Sequence, residues 1–201
     1  MNKLAIFASG TGSNALNLIK FFSNHHSITI DAVYCNRPDA PVIGKAQAAG
    51  VNVVVFDKKE FQTEAFIETL KERGTGWIIL AGFLWLIPRL MVATWRGRII
   101  NIHPALLPDF GGRGMFGHHV HDAVIASGRS QTGITIHLVD DRYDHGETLF
   151  QATCPVMSDD TPDLLASRIH LLEHRWFPPV VERYIESGEV DFKQTDGNAS
   201  L

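Results

Sequence analysis

Four apolar residues in a row, Trp77-Ile78-Ile79-Leu80, leave no polar face for water. Side chains alternate across a strand, so such a run fits a strand only where both faces of its sheet are covered. Further strand-like runs fall at Leu4 to Ala8, Ile28 to Cys35, Val53 to Phe56 and Arg98 to His103. Helix-like segments lie between them. Ser13 to Phe22 carries Ala15, Leu18, Ile19 and Phe22 at the spacing of one helix face. A helix over Val42 to Ala49 ends at Gly50, a residue type that closes helices in the left-handed conformation. Asp57 and Glu60 have the spacing of a capping box, predicting a helix from there to Arg73. This alternation predicts a doubly wound α/β fold, with a mostly parallel sheet and helices on both faces.

The second half reads differently. A helix over His118 to Ser127 is closed by Gly128, and two long strand-like runs follow at Thr132 to Val139 and Glu147 to Val156. The last helix starts near Thr161-Pro162 and runs to Ser187-Gly188, and Pro178-Pro179 predicts a bend within it. The 201 residues suit one domain, and the net charge of −4 provides no basic footprint for nucleic acid. The only cysteines, Cys35 and Cys154, sit in apolar runs and read as buried thiols of a reducing compartment. No apolar stretch approaches the ~20 residues of a membrane span. With the short apolar start stopped at Ser9-Gly10, this predicts a cytoplasmic protein.

Two places carry polar residues where burial predicts none. The first strand ends in Ser9-Gly10-Thr11-Gly12-Ser13-Asn14, a glycine turn at a strand-to-helix junction. Free backbone N–H groups there suit an anion. The third glycine of a dinucleotide fingerprint is missing, and Tyr34-Cys35-Asn36-Arg37 provides no ribose-binding acid, so a single phosphate monoester fits better. The other place is Arg98-Ile99-Ile100-Asn101-Ile102-His103-Pro104. Asn101 and His103 leave the same face of a strand, at its carboxyl end, where open α/β sheets hold ligands. Asn supplies a neutral donor for a developing oxyanion, and His carries a proton near neutral pH. A partner carboxylate is available from Asp140, Asp141 or Asp144, and spacing alone does not choose among them.

From Lys3 to Ile185 the chain resembles the glycinamide ribonucleotide formyltransferase family of the folate-dependent formyltransferase superfamily. The resemblance rests on Ser9-Gly10-Thr11-Gly12-Ser13-Asn14, Ala81-Gly82-Phe83, Asn101-Ile102-His103-Pro104-Ala105-Leu106-Leu107-Pro108, Gly133-Ile134-Thr135-Ile136-His137, the Asp144 loop and Glu173-His174. It implies a Rossmann-like formyltransferase fold over residues 1–190. Within it, residues 1–100 would form a phosphate-binding half and 101–190 a folate and catalytic half; the polar composition of the C-terminus predicts a frayed tail over 191–201. It implies Asn101, His103 and Asp144 as catalytic residues, with Asp144 raising the pKa of a protonated His103. The ribonucleotide would meet Gly12, Ser13, Asn14, Ala15, Leu16 and Glu173. The co-substrate 10-formyltetrahydrofolate would meet Leu84, Trp85, Leu86, Ile87 and Asn101. A cis Leu107-Pro108 bond is also implied. Trp85 stands where some members carry Arg, no Arg matches a folate-side contact near Thr63, His170 replaces a Lys near the phosphate, and Phe110 to Gly117 looks longer than in many relatives.

The implied partners are small molecules, with no metal, nucleic acid or membrane; the resemblance predicts no oligomeric state. His118, His119 and His121 lack a clear ligand set for a metal, and the family helix that carries the last two holds none. The rival readings are a formyltetrahydrofolate deformylase and a nucleotide-binding module without catalysis. The deformylase carries an extra N-terminal domain, whereas the sheet here starts at Lys3. A methionyl-tRNA formyltransferase would need a C-terminal RNA-binding domain and a basic surface. A non-catalytic module leaves Asn101, His103 and Asp144 without a role.

Overall fold

The computed structural model describes residues 1–191; the remainder of the expected tail lies outside the described residues. Among the described residues, seven strands and seven helices follow one another as β1 (Asn2–Ala8), α1 (Ser13–Phe22), β2 (Ile28–Cys35), α2 (Val42–Ala48), β3 (Val53–Val55), α3 (Lys58–Phe61), α4 (Glu64–Glu72), β4 (Trp77–Leu80), α5 (Arg89–Thr94), β5 (Ile99–His103), α6 (His118–Ala126), β6 (Gln131–Leu138), β7 (Thr148–Pro155) and α7 (Pro162–Ser187). The strand order is β3-β2-β1-β4-β5-β6-β7. The fold is α/β with a mostly parallel sheet. Two compact units divide the chain, one from Met1 to Asn101 and one from Ile102 onward.

In the first unit, parallel ladders join β1 to β2, β1 to β4, β2 to β3 and β4 to β5. Leu4 to Ala8 on β1 and Ile78 to Leu80 on β4 are buried, as their unbroken apolar character requires. Phe7 stacks on Tyr34 at 4.9 Å between ring centroids, and Phe56, Phe61, Phe66 and Phe83 pack edge-on or tilted around Phe7. The expected helix over 57–73 is two helices. The capping box forms: Asp57 accepts the N–H groups of Lys59 and Glu60, and Glu60 accepts that of Asp57. One turn later Thr63 takes an extended conformation and caps α4 through Phe66 N–H. A side chain that can cap offers the backbone an alternative to continuing the helix. Helix α5, which sequence periodicity did not reveal, sets Met91 in the core.

In the second unit, β6 and β7 pair antiparallel, with Thr132 opposite Cys154 and Ile134 opposite Ala152. Helix α7 runs without a break through Pro178 and Pro179 and ends at Gly188, whose φ is 73°. Cys35 and Cys154 are buried free thiols, and burial pushes the Cys154 thiol up to about 11. No helix among the described residues is long and apolar enough to cross a membrane.

The hairpin is closely fitted at Gly133, where an added Cβ would collide with the Ala152 carbonyl on β7. Backbone cannot move aside as a flexible side chain can. Gly133→Ala is therefore expected to cost about 3 kcal/mol, the upper end of ordinary over-packing. Thermal unfolding should move down by roughly 6–12 °C for a chain of this size. An unchanged midpoint means that the hairpin yields at this position.

Candidate active site

The turn after β1 places Gly12 at φ 78°, where an added Cβ would also collide with the Val42 side chain. Both conditions call for glycine. Helix α1 starts there without a side-chain cap, and the Leu16 N–H bonds to the Gly12 carbonyl. Ser13 to Ala15 thus form the first turn, the anion-favouring end of the helix dipole. Lys45 of α2 bonds the Thr11 carbonyl at 2.9 Å and adds a cation beside the turn that the sequence pattern did not single out. The segment Leu84 to Ile87 is fixed to the end of β1: Ser9 N–H bonds the Gly82 carbonyl, and Leu84 N–H bonds Ser9 Oγ at 3.1 Å. It leaves Leu84 and Leu86 exposed, while Ile87 is buried.

Asn101 and His103 stand two residues apart on β5 and so leave it on one face. In the second unit His103 is buried, with 3% of its surface exposed. Its Nε2 lies 2.8 Å from the Phe110 carbonyl and its Nδ1 lies 3.5 Å from Asp144 Oδ1. Of the three aspartates in the loop, Asp144 is thus the one at His103. Asp140 instead pairs with His145 at 2.8 Å and accepts the Arg142 N–H. Two features aim Asp144. Its backbone takes φ 52°, which Asp tolerates better than most residues, and its Oδ2 accepts the Gly112 N–H at 2.9 Å. An added Cβ on neighbouring Gly111 would lie 3.2 Å from the Asp144 Cβ, so that residue must stay small.

His137 on β6 completes the cluster. It belongs to a quoted motif, yet sequence reasoning assigned it no role. It is buried, its Nε2 lies 3.8 Å from Asp144 Oδ1, and its Nδ1 lies 2.7 Å from the Leu138 carbonyl. A carbonyl only accepts, so each imidazole commits one N–H to backbone and turns its other nitrogen toward the same carboxylate. Only an imidazolium satisfies both acceptors. Burial works the other way. It pulls His103 and His137 below the ordinary imidazole value, against the opposing charge of Asp144 and the backbone bonds. The expected effect of Asp144 is present, a carboxylate charge that raises the His103 pKa, but desolvation outweighs it and the net shift is downward.

The backbone after β5 is held by Thr135, whose Oγ1 donates to the Ala105 carbonyl and accepts the Leu107 N–H. Gln151 Nε2 reaches both the Leu107 carbonyl and Thr135 Oγ1. The Leu107-Pro108 bond is cis, as the resemblance implied. Glu173 is buried on α7, with a carboxylate oxygen 3.9 Å from His170 Nε2. His121 on α6 is buried, its Nδ1 has no hydrogen-bond partner among the described residues, and burial with the nearby His170 and His118 lowers its pKa to about 4. The structure brings Asp144 to His103 and puts Asn101 beside His103 on one strand; Gly12 to Leu16 belong to the first unit and Glu173 to the second.

These depressed histidines set a pH dependence of stability. Unfolded imidazoles titrate near 6.5, while folded His121 titrates at about 4 and His103 and His137 titrate below their ordinary value. Between the two values the unfolded chain binds more protons, so stability falls as pH falls. The unfolding temperature should drop from pH 7.5 to pH 5, and His121→Gln should flatten the drop. A midpoint independent of pH across that window contradicts the assignment.

The chain belongs to the formyl transferase family, whose model matches residues 2–181. It is 39% identical over 187 residues to the chloroplastic phosphoribosylglycinamide formyltransferase of Arabidopsis thaliana, covering 89% of this chain and 64% of that protein. It is 33% identical over 191 residues to the phosphoribosylglycinamide formyltransferase of Bacillus subtilis, covering 92% of this chain and 95% of that one. The crystal structure of phosphoribosylglycinamide formyltransferase from Anaplasma phagocytophilum superposes with a TM-score of 0.83 at 33% identity, covering 98% of this chain and 91% of that one.

Proposed function

We propose that this chain transfers the formyl group of 10-formyltetrahydrofolate to the amine of glycinamide ribonucleotide, a step of purine synthesis. The observation that carries the reading is the His103–Asp144–His137 cluster beside Asn101 at the end of β5. Relatives covered nearly end to end are named for formyl transfer to phosphoribosylglycinamide, which supports the acceptor. In the reaction the amine nitrogen attacks the formyl carbon, forming a C–N bond and an oxyanion. The Asn101 carboxamide holds that oxygen, and His103, once an N–H is released from the Phe110 carbonyl it meets in the free protein, adds a second donor. The bond from carbon to the folate nitrogen then breaks, and the proton lost by the amine ends on that nitrogen. Asp144 favours the charged imidazole while the proton is in transit.

The turn from Gly12 to Leu16 takes the ribonucleotide phosphate, with Lys45 as counter-charge, and Glu173 takes its sugar. Leu84, Trp85, Leu86 and Ile87 line the folate. The buried, reduced thiols of Cys35 and Cys154 suit work in the cytoplasm. An assay with 10-formyltetrahydrofolate, with and without glycinamide ribonucleotide, tests the reading. Turnover that requires the amine supports it. Release of formate at the same rate without the amine makes the chain a deformylase instead.

A further inference from the structure

Phe110 follows His103 by seven residues and takes φ 54°. A bulky side chain in the left-handed region is uncommon and stays there only where its surroundings hold it. The conformation has a use: it points the Phe110 carbonyl at His103 Nε2, 2.8 Å away. A carbonyl only accepts, so Nε2 carries a hydrogen whatever the charge of the ring, and Nδ1 is left facing Asp144. A backbone turn thus decides which ring nitrogen is the standing donor and where it points.

Two groups hold the turn. Asp144 holds its far side through the Gly112 N–H. Arg129, between α6 and β6, holds its near side. The guanidinium carbon lies 5.6 Å from the centroid of the Phe110 ring, within reach of a cation–π contact, and Nη2 lies 2.7 Å from Asp109 Oδ2. One side chain thus grips two consecutive residues. The Asp109 N–H bonds the Leu106 carbonyl, which ties the gripped residues back toward β5. The side chains of Arg129 and Asp109 are 53% and 46% exposed, so their ion pair contributes little to stability. What the guanidinium adds is geometry, because its planar fork pairs with a carboxylate and lies over a ring at once.

We propose that Arg129 is a positioning residue for the formyl transfer: it holds the Asp109–Phe110 turn so that the Phe110 carbonyl keeps a hydrogen on His103 Nε2 and aims that nitrogen until the formyl oxygen takes the carbonyl's place. The inference rests on the proposed reaction. Arg129→Met keeps the length of the side chain and removes the guanidinium from the surface. The full chain with isotope-labelled histidine reports the His103 ring by NMR without any turnover. In Arg129→Met the His103 Nε2 hydrogen should exchange with water about tenfold faster, as the turn opens more often. The value of kcat should fall about three- to tenfold, well short of the ~10²-fold loss of a fully misplaced group. The KM for both substrates and the unfolding midpoint should stay near wild type. Arg129→Lys keeps a cation for Asp109 without the flat contact on Phe110, and should recover part of both losses. Asp109→Asn should shift exchange and kcat in the same direction by less. The proposal is overturned if Arg129→Met leaves the His103 exchange unchanged, or speeds it with kcat intact. It is equally overturned if kcat falls only in step with the unfolding midpoint while the His103 signals stay in place, which makes Arg129 structural. A wild-type chain that transfers no formyl group refutes the reaction instead, and the exchange measurement tells the two failures apart.

Discussion

Asp144→Asn is expected to lower kcat roughly 10²- to 10⁴-fold, the range over which a positioned acid–base group contributes, while the KM for the ribonucleotide stays near its wild-type value. Asparagine keeps the size of aspartate, and its Oδ1 can still accept the Gly112 N–H that aims the loop. What disappears is the negative charge between His103 and His137. Burial already depresses both imidazoles, and without the carboxylate each falls further. Residual activity should therefore shift toward lower pH, where His103 can still hold a proton. Asp140→Asn and Asp141→Asn are the controls. Asp140 is engaged with His145 and Arg142, so its loss disturbs the loop without neutralising the cluster. If Asp140→Asn abolishes turnover while Asp144→Asn preserves it, the roles proposed for the two carboxylates are wrong.

What the sequence revealed and what it hid divide along physical lines. The bounds of α1 and β2 were legible residue for residue, because the chain reads there as a clean helix face beside a mostly apolar run. The break between α3 and α4 was not. No glycine or proline marks it, and Thr63 looks like any surface residue until its hydroxyl caps a new helix. Helix α5 spans only Arg89–Thr94, less than two turns, too short to show a period. At the site, Asn101 and His103 stood out because polar side chains on a buried strand need a reason. The choice of Asp144 over its neighbours depended on a left-handed backbone at φ 52°, which loop spacing does not encode. His137 was visible as a motif residue, but its place beside Asp144 depends on how the loop folds back over the hairpin. The sign of the His103 shift escaped for a related reason: sequence names the neighbouring charge, whereas desolvation is a property of the packed core.

Asn101→Ala should reduce kcat by about 10²- to 10³-fold, close to 3–4 kcal/mol, the usual loss when one oxyanion donor is removed. Its neighbours Ile100 and Ile102 are buried, whereas Asn101 itself keeps partial exposure on a strand paired through Leu80 to β4. Truncation to alanine leaves that backbone pairing intact, so folding and the ribonucleotide KM should hold. Asn101→Asp should do more damage than alanine. It replaces a donor with a negative charge facing a developing negative charge, although the new carboxylate would also raise the pKa of a nearby imidazole. The double variant Asn101→Ala with Asp144→Asn separates the roles. If both residues act on one tetrahedral intermediate, the combined loss falls short of the product of the single losses, as for groups that work as a unit. A variant with normal kcat and a raised KM for 10-formyltetrahydrofolate would instead make Asn101 a binding contact. The oxyanion would then have to be held by His103 and backbone donors alone.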